Sequence, residues 1–381
     1  MRLIPVAAAA ALAAVPAASA ETVTVYFGTY TGKNKGQGIY MSKLDTATGA
    51  LTAPELAAEA ESPAFLAVHP SGRFVYAANE VGRFEGKPAG SLQAFAVDPA
   101  SGKLTALNRK TSGGGGPCHV STDPAGKVLL AANYGGGSVT ALPINADGSL
   151  GDPTAFIQHV GSSVNPGRQK SPHAHSINVS PDGRFAMAAD LGLDKVLVYR
   201  LDAAKGTLMP HEPQSASVPP GSGPRHFSFR PDGKFAFVCD EMTSAITSFR
   251  YDAEKGVLTP LETLSTLPAD YKKPGNSTAE CLVHPSGKFV YVSNRGHDSI
   301  AGFAIDAETG KLTALGQTPI GGKTPRNFGI DPTGQWLLAA GQSSGTVHVF
   351  RIDVAGGGLT PVGKPVEVPA CVCVRFLPIG K

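Results

Sequence analysis

The chain has 381 residues, 42% hydrophobic and 17% charged, with 33 Lys and Arg against 30 Asp and Glu for a formal net charge of +3. That balance, with no basic run, excludes a chain built to hold nucleic acid or anionic lipid by charge. The 46 glycines and 31 prolines are many for a globular protein and fit numerous tight turns between short strands.

Residues 1–20 stand apart from the rest of the chain. Arg2 gives a positive start, residues 3–15 are apolar and Ala-rich, and Ala18-Ser19-Ala20 has the small-x-small form of a signal peptidase site. This stretch is too short to span a bilayer and no second one occurs, so the expectation is a signal peptide and an exported product, periplasmic or secreted, that leaves the membrane after cleavage. Residues 21–381 then form the folded domain.

Within that domain one unit recurs: an apolar strand, a Pro-x-Gly turn, a second apolar strand, a polar turn, an alternating third strand, and a Gly-Lys-Leu-like turn into a fourth. The turn prolines are Pro70, Pro124, Pro181, Pro231, Pro285 and Pro332, spaced by 54, 57, 50, 54 and 47 residues. At the amino end, residues 23–27, 39–44 and 49–51 read as second, third and fourth strands without a first. At the carboxyl end, residues 371–376 read as a first strand with nothing after it. Sharing one blade between the termini closes the ring and removes the sheet edges. The expected fold is therefore all-β, a seven-bladed β-propeller with four antiparallel strands per blade. One Trp and no Trp-Asp signature argue against a WD40 repeat.

If first and second strands are antiparallel neighbours, the start of one and the end of the other meet around the mouth of the central channel. Those positions are rich in chemistry: Cys118-His119, Pro172-His173-Ala174-His175, Pro224-Arg225-His226, Glu280-Cys281 and Pro325-Arg326-Asn327 at strand starts, and Asn79-Glu80, Asn133-Tyr134, Asp190, Asp240-Glu241 and Asn294-Arg295 at strand ends. The opposite turns, His69 and His284 among them, need only backbone chemistry. Arg225, Arg295 and Arg326 come from three successive blades, and three guanidinium groups aimed at one mouth call for an anion, from the substrate or from Glu241 and Glu280. Two histidines on a loop, His173 and His175, could share an ion, but with no Cys or acidic residue beside them in the motif neither a metal nor a cofactor is expected. The five cysteines show no zinc or redox spacing and read as small apolar fillers.

At these residues the chain resembles the 6-phosphogluconolactonase and carboxy-muconate cyclase type of lactonase propeller. The resemblance rests on Pro172-His173-Ala174-His175-Ser176, Gly223-Pro224-Arg225-His226, Ser293-Asn294-Arg295-Gly296-His297-Asp298-Ser299-Ile300 and Lys323-Thr324-Pro325-Arg326-Asn327-Phe328. It implies roles for His175, Arg225, Glu241 and Arg295. One departure is Cys239-Asp240-Glu241, where the family often carries Asn before Glu.

Opening a lactone needs a base to activate water and fixed positive charge for the developing oxyanion. The expected catalytic group is Glu241 or His175 as base with Arg225 and Arg295 as anchors, and His119, His173, His226, Glu280, Arg326 and Asn133 are expected around the substrate. No Gly-x-Ser-x-Gly elbow is present, so activated water is expected rather than a serine nucleophile. The expected partner is a small anionic lactone or sugar acid, and the chain is expected to act as a monomer. Two other readings stay open: a cycloisomerase of the carboxy-muconate type, and a propeller that only binds.

Overall fold

The computed structural model describes residues 21–33 and 35–379; the leader expected at residues 1–20 lies outside the described residues. It contains 28 strands, numbered in chain order, in seven antiparallel four-stranded sheets. The inner strands are β4 (Pro63–Val68), β8 (Pro117–Thr122), β12 (Ala174–Val179), β16 (Pro224–Phe229), β20 (Ser277–Val283), β24 (Pro325–Ile330) and β28 (Cys371–Phe376). Each touches the next around a closed ring, with β28 between β24 and β4. The shared blade closes as expected, with β28 paired to β1 (Thr22–Thr29), which continues into β2 (Gly38–Asp45), but its fourth strand is β3 (Glu55–Glu59) and not residues 49–51, where only an isolated bridge joins Leu51 to Leu44.

Alternation along the inner strands sends every second side chain between blades. Leu66, Val120, Ile177, Phe227, Cys281, Phe328 and Val374 occupy equivalent places there and are buried. A large apolar side chain so placed contributes about 1.5–3 kcal/mol, and the same layer recurs at every blade interface. At the turn end, Gly233 of Pro231-Asp232-Gly233 has φ 68°, a conformation a side chain at that position would strain. His69 and His284 tie neighbouring turns together, with Nε2 2.9 Å from the Gly126 carbonyl and 2.7 Å from that of Gly334. Both are structural, as their place in the repeat implied.

One irregularity repeats seven times and matters for function. The register slips at the start of every inner strand: between Pro63 and Phe65, Pro117 and His119, Ala174 and Ser176, Pro224 and Phe227, Thr278 and Cys281, Pro325 and Asn327, and where β28 meets Gly28 and Thr29 of β1. A β-bulge places two residues opposite one and re-aims a side chain that strict alternation would send elsewhere. Here the extra residue is Ala64, Cys118, His175, Arg225, Ala279, Arg326 or Val372.

Candidate active site

Six of those seven bulge residues line one cavity at the channel mouth; Ala279 contributes its carbonyl, which accepts a hydrogen bond from Arg225. The second contribution comes from the ends of the second strands: β5 (Phe74–Asn79), β9 (Val128–Asn133), β13 (Phe185–Asp190), β17 (Phe235–Asp240) and β21 (Phe289–Arg295). The first polar residue of each end turns into its own blade. Asn133 donates to the Ser112 carbonyl and to Ser138 and Thr140, and Asn294 donates to the Thr266 carbonyl. The next residue faces the channel, giving Glu80, Tyr134, Glu241 and Arg295. Asn133, expected at the substrate, therefore belongs to the blade, and its neighbour Tyr134 takes the position on the cavity; a step of one residue reverses the face.

The cavity encloses about 180 Å³ at the mouth and narrows to a pinch of about 10 Å³ between Phe65, His226 and Val372. Its centre of charge is Glu241, which is buried. Arg225 Nε and Arg295 Nη2 each reach Glu241 Oε2 at 3.0 Å, and Arg168 Nη2 reaches Oε1 at 2.8 Å. Burial alone would raise the Glu241 pKa, but Arg295 and Arg225 outweigh it and hold the carboxyl well below the ordinary carboxylate range. Burial and the neighbouring Arg225 bring Arg295 down to about 10, which leaves it charged at neutral pH.

Arg326 has a different environment. Its guanidinium lies 5.7 Å from the centre of the Tyr30 ring, and among the described residues no carboxylate forms an ion pair with it and no acceptor takes a hydrogen bond from it. Among the described residues it is the one cavity-lining cation without an ion pair. His175, also buried, presents its ring to the same space, with Nδ1 3.6 Å from Cys118 Sγ and the ring edge-on to Tyr134 at 5.1 Å. Burial, then Arg225 and His226, push its pKa well below 6.5, so it is a neutral imidazole with an acceptor nitrogen. Cys118 is not only filler, since it lines the cavity; its thiol is pushed up to about 12 by burial and by Glu80, and it stays protonated. All five cysteines are free and buried.

Below the pinch the expected residues separate into a second layer. Glu280 accepts from His226 Nδ1 at 2.8 Å, from the Cys281 amide at 2.9 Å and from Asn327 Nδ2, with Arg375 at 3.7 Å. His119 packs at a tilt against Phe65 with centroids 4.2 Å apart and meets His226 edge-on at 5.4 Å. His119 and Glu280 do not line the mouth, while His226 forms its floor. His173 stands behind Tyr134, stacked at 4.6 Å with Nδ1 3.0 Å from the Tyr134 carbonyl.

Arg168 was not among the expected site residues. It sits on the loop between β11 (Ala155–Gln158) and β12, held by Gln169 and Ser163 side chains that donate to Asp194 at 2.8 and 2.6 Å. Its one sequence signal is the Pro124 to Pro181 interval, at 57 residues the longest in the series.

Residues 24–376 match the family model described as a lactonase with a 7-bladed β-propeller. A 6-phosphogluconolactonase of Bacillus subtilis is 37% identical over 92% of this chain and 97% of its own length. A second, from Formosa agariphila, is 32% identical over 90% and 96%. The solved structure of a periplasmic gluconolactonase of Pseudomonas aeruginosa superposes with a TM-score of 0.87 at 33% identity, covering 94% of this chain and all of the other. Together with the closed ring of seven blades and the charged cavity at its mouth, these matches show that the chain belongs to the seven-bladed β-propeller lactonase family.

Proposed function

We propose that the protein hydrolyses a sugar lactone at the mouth of the central channel. The observation that carries this reading is the division of labour among the cations: three arginines converge on the single carboxylate of Glu241, leaving the group net positive, while Arg326 has no ion pair among the described residues and stands beside a neutral, cavity-lining His175. The relatives named 6-phosphogluconolactonase and gluconolactonase support a sugar lactone as the substrate class.

Of the two candidate bases, Glu241 has both oxygens engaged by guanidinium groups, which suits it to holding arginines in place. His175 then takes a proton from water as the water oxygen adds to the lactone carbonyl. Arg225 and Arg295 donate to the carbonyl oxygen as it becomes an oxyanion, and Arg326 holds the substrate. Collapse breaks the ring C–O bond, the ring oxygen recovers the proton from His175, and the product is the open hydroxy acid. No group leaves, and water is the only co-reactant.

Release of acid from glucono-δ-lactone and 6-phosphoglucono-δ-lactone, followed with a pH indicator, tests the reading. Turnover above the spontaneous rate is expected for at least one of them. Binding without turnover would make the propeller a binding platform, and cyclisation of an unsaturated dicarboxylate without hydrolysis would make it a cycloisomerase. Export is proposed as well, from the leader pattern of residues 1–20 and the periplasmic neighbour. Mass spectrometry of the protein from its native host should then find Glu21 as the first residue; an intact leader on a cytoplasmic product would contradict it.

A further inference from the structure

The cavity contains a second carboxylate, and its setting differs from that of Glu241. Glu80 follows directly on β5, with its amide donating to the Ser62 carbonyl at 2.9 Å. It lines both the mouth and the pinch. Its Oε2 accepts a 2.7 Å hydrogen bond from the Tyr30 hydroxyl, and the Tyr30 ring in turn lies under Arg326. Among the described residues no arginine or lysine forms an ion pair with Glu80, and no donor reaches its Oε1. Where Glu241 spends both oxygens on guanidinium groups, Glu80 keeps one oxygen for the cavity.

From this we propose that Glu80 is the specificity-determining residue of the site: it accepts hydrogen bonds from substrate hydroxyls and thereby selects polyhydroxylated lactones over lactones that bear carboxylates. The inference rests on the lactone-hydrolase reading of the cavity. An anionic acceptor with an open lone pair fits a donor that has no negative charge of its own, and ring hydroxyls supply several. A carboxylate placed against the same oxygen meets like charge in a buried site where, among the described residues, Arg326 is the lining cation without an ion pair, so part of the attraction of that arginine is cancelled. Tyr30 acts as a positioning residue, fixing the carboxylate rotamer through Oε2 so that Oε1 is the oxygen presented.

The test compares two substrates, glucono-δ-lactone and muconolactone, on the parent chain and on Glu80→Gln. Glutamine keeps the size of the side chain and an oxygen for the Tyr30 hydroxyl, while the charge is removed. Turnover of the sugar lactone is expected to fall by roughly 10- to 100-fold in kcat/KM, chiefly through KM, as for loss of a charge-assisted hydrogen bond to a substrate hydroxyl. Turnover of muconolactone is expected to hold or rise, so that the ratio of the two inverts or narrows by at least the same factor. Tyr30→Phe, which leaves Glu80 charged but unheld, should move the ratio in the same direction by less, and serves also if Glu80→Gln does not fold. A parent chain that opens the sugar lactone while both variants keep its ratio overturns the role of Glu80 and leaves the hydrolase reading standing. A parent chain that prefers muconolactone overturns the selectivity proposed here, and one that opens neither overturns both.

Discussion

Two layers of the same channel, one residue apart along the inner strands, have opposite characters. The mouth layer, built on the bulge residues, carries His175, Arg225 and Arg326, meets Glu241 and Arg295 from the strand ends, and leaves Arg326 unpaired. The layer beneath, built on the next residue, carries Phe65, His119, His226, Glu280 and Asn327, and its carboxylate is taken up by an imidazole, an amide and a backbone N–H. The difference lies in the bulge. It turns two consecutive residues of each inner strand toward the axis, so one can close the channel while the other faces the mouth.

If that division is right, the largest effect belongs to the mouth layer. His175→Ala should lower kcat by about 100-fold or more with little change in KM, the loss characteristic of a missing general base, measured by initial rates on whichever sugar lactone turns over. The matching change below, His119→Ala, should lower thermal stability and leave kcat within a few-fold. A His175→Ala chain with the parent kcat would remove the proposed base and, with it, the contrast between layers. Next in size is Arg326→Ala, which takes away the unpaired cation. It should cost roughly 10- to 100-fold in kcat/KM, mostly in KM, and the variant should unfold at nearly the parent temperature because no ion pair among the described residues is broken.

The layers should also differ in the sign of their response to pH. Glu241 is held below its ordinary value of 4.5 by Arg295 and Arg225 despite burial, whereas burial raises Glu280 above it. A lowered carboxyl contributes stability that is present above about pH 4.5 and lost as pH falls through the folded-state value; a raised one contributes stability present below about pH 4.5 and lost as pH rises through its folded value. Denaturant unfolding from about pH 3 to about pH 7 should therefore show the deficit of Glu241→Gln growing with pH and that of Glu280→Gln shrinking. Parallel curves for the two variants would mean that the channel does not separate them.

Much of this was legible without coordinates. The Pro-x-Gly spacing and the complementary half-repeats at the termini fix blade number and closure, because turns and alternation leave their own residue types behind. Strand starts and ends located His175, Arg225, Glu241, Arg295 and Arg326 on one face. What stayed hidden were consequences of a register slip, which leaves the residue types of a strand unchanged. Without the bulge, Cys118 reads as filler, Glu280 and His119 read as mouth residues, and Asn133 cannot be told from Tyr134. The role of Glu241 was hidden for another reason, since one of the three arginines that hold it comes from a loop outside the repeat.

That arginine supplies the smallest of the expected effects. The Arg168 side chain is 46% exposed, and its partners are Glu241 Oε1 at 2.8 Å and the Tyr134 hydroxyl at 3.0 Å. An ion pair with one partner in water contributes about 0–1 kcal/mol, and Arg225 and Arg295 would still hold Glu241 Oε2 in its absence. Arg168→Ala should thus reduce kcat/KM by no more than about 5-fold, with kcat nearly unchanged and the residual effect weakening as salt rises. A drop as large as that of His175→Ala, insensitive to salt, would move Arg168 from the rim of the site to its chemistry: the loop between β11 and β12 would then be supplying a group that touches the reacting atoms, and the mouth layer would owe its activity to more than the bulges of the inner strands.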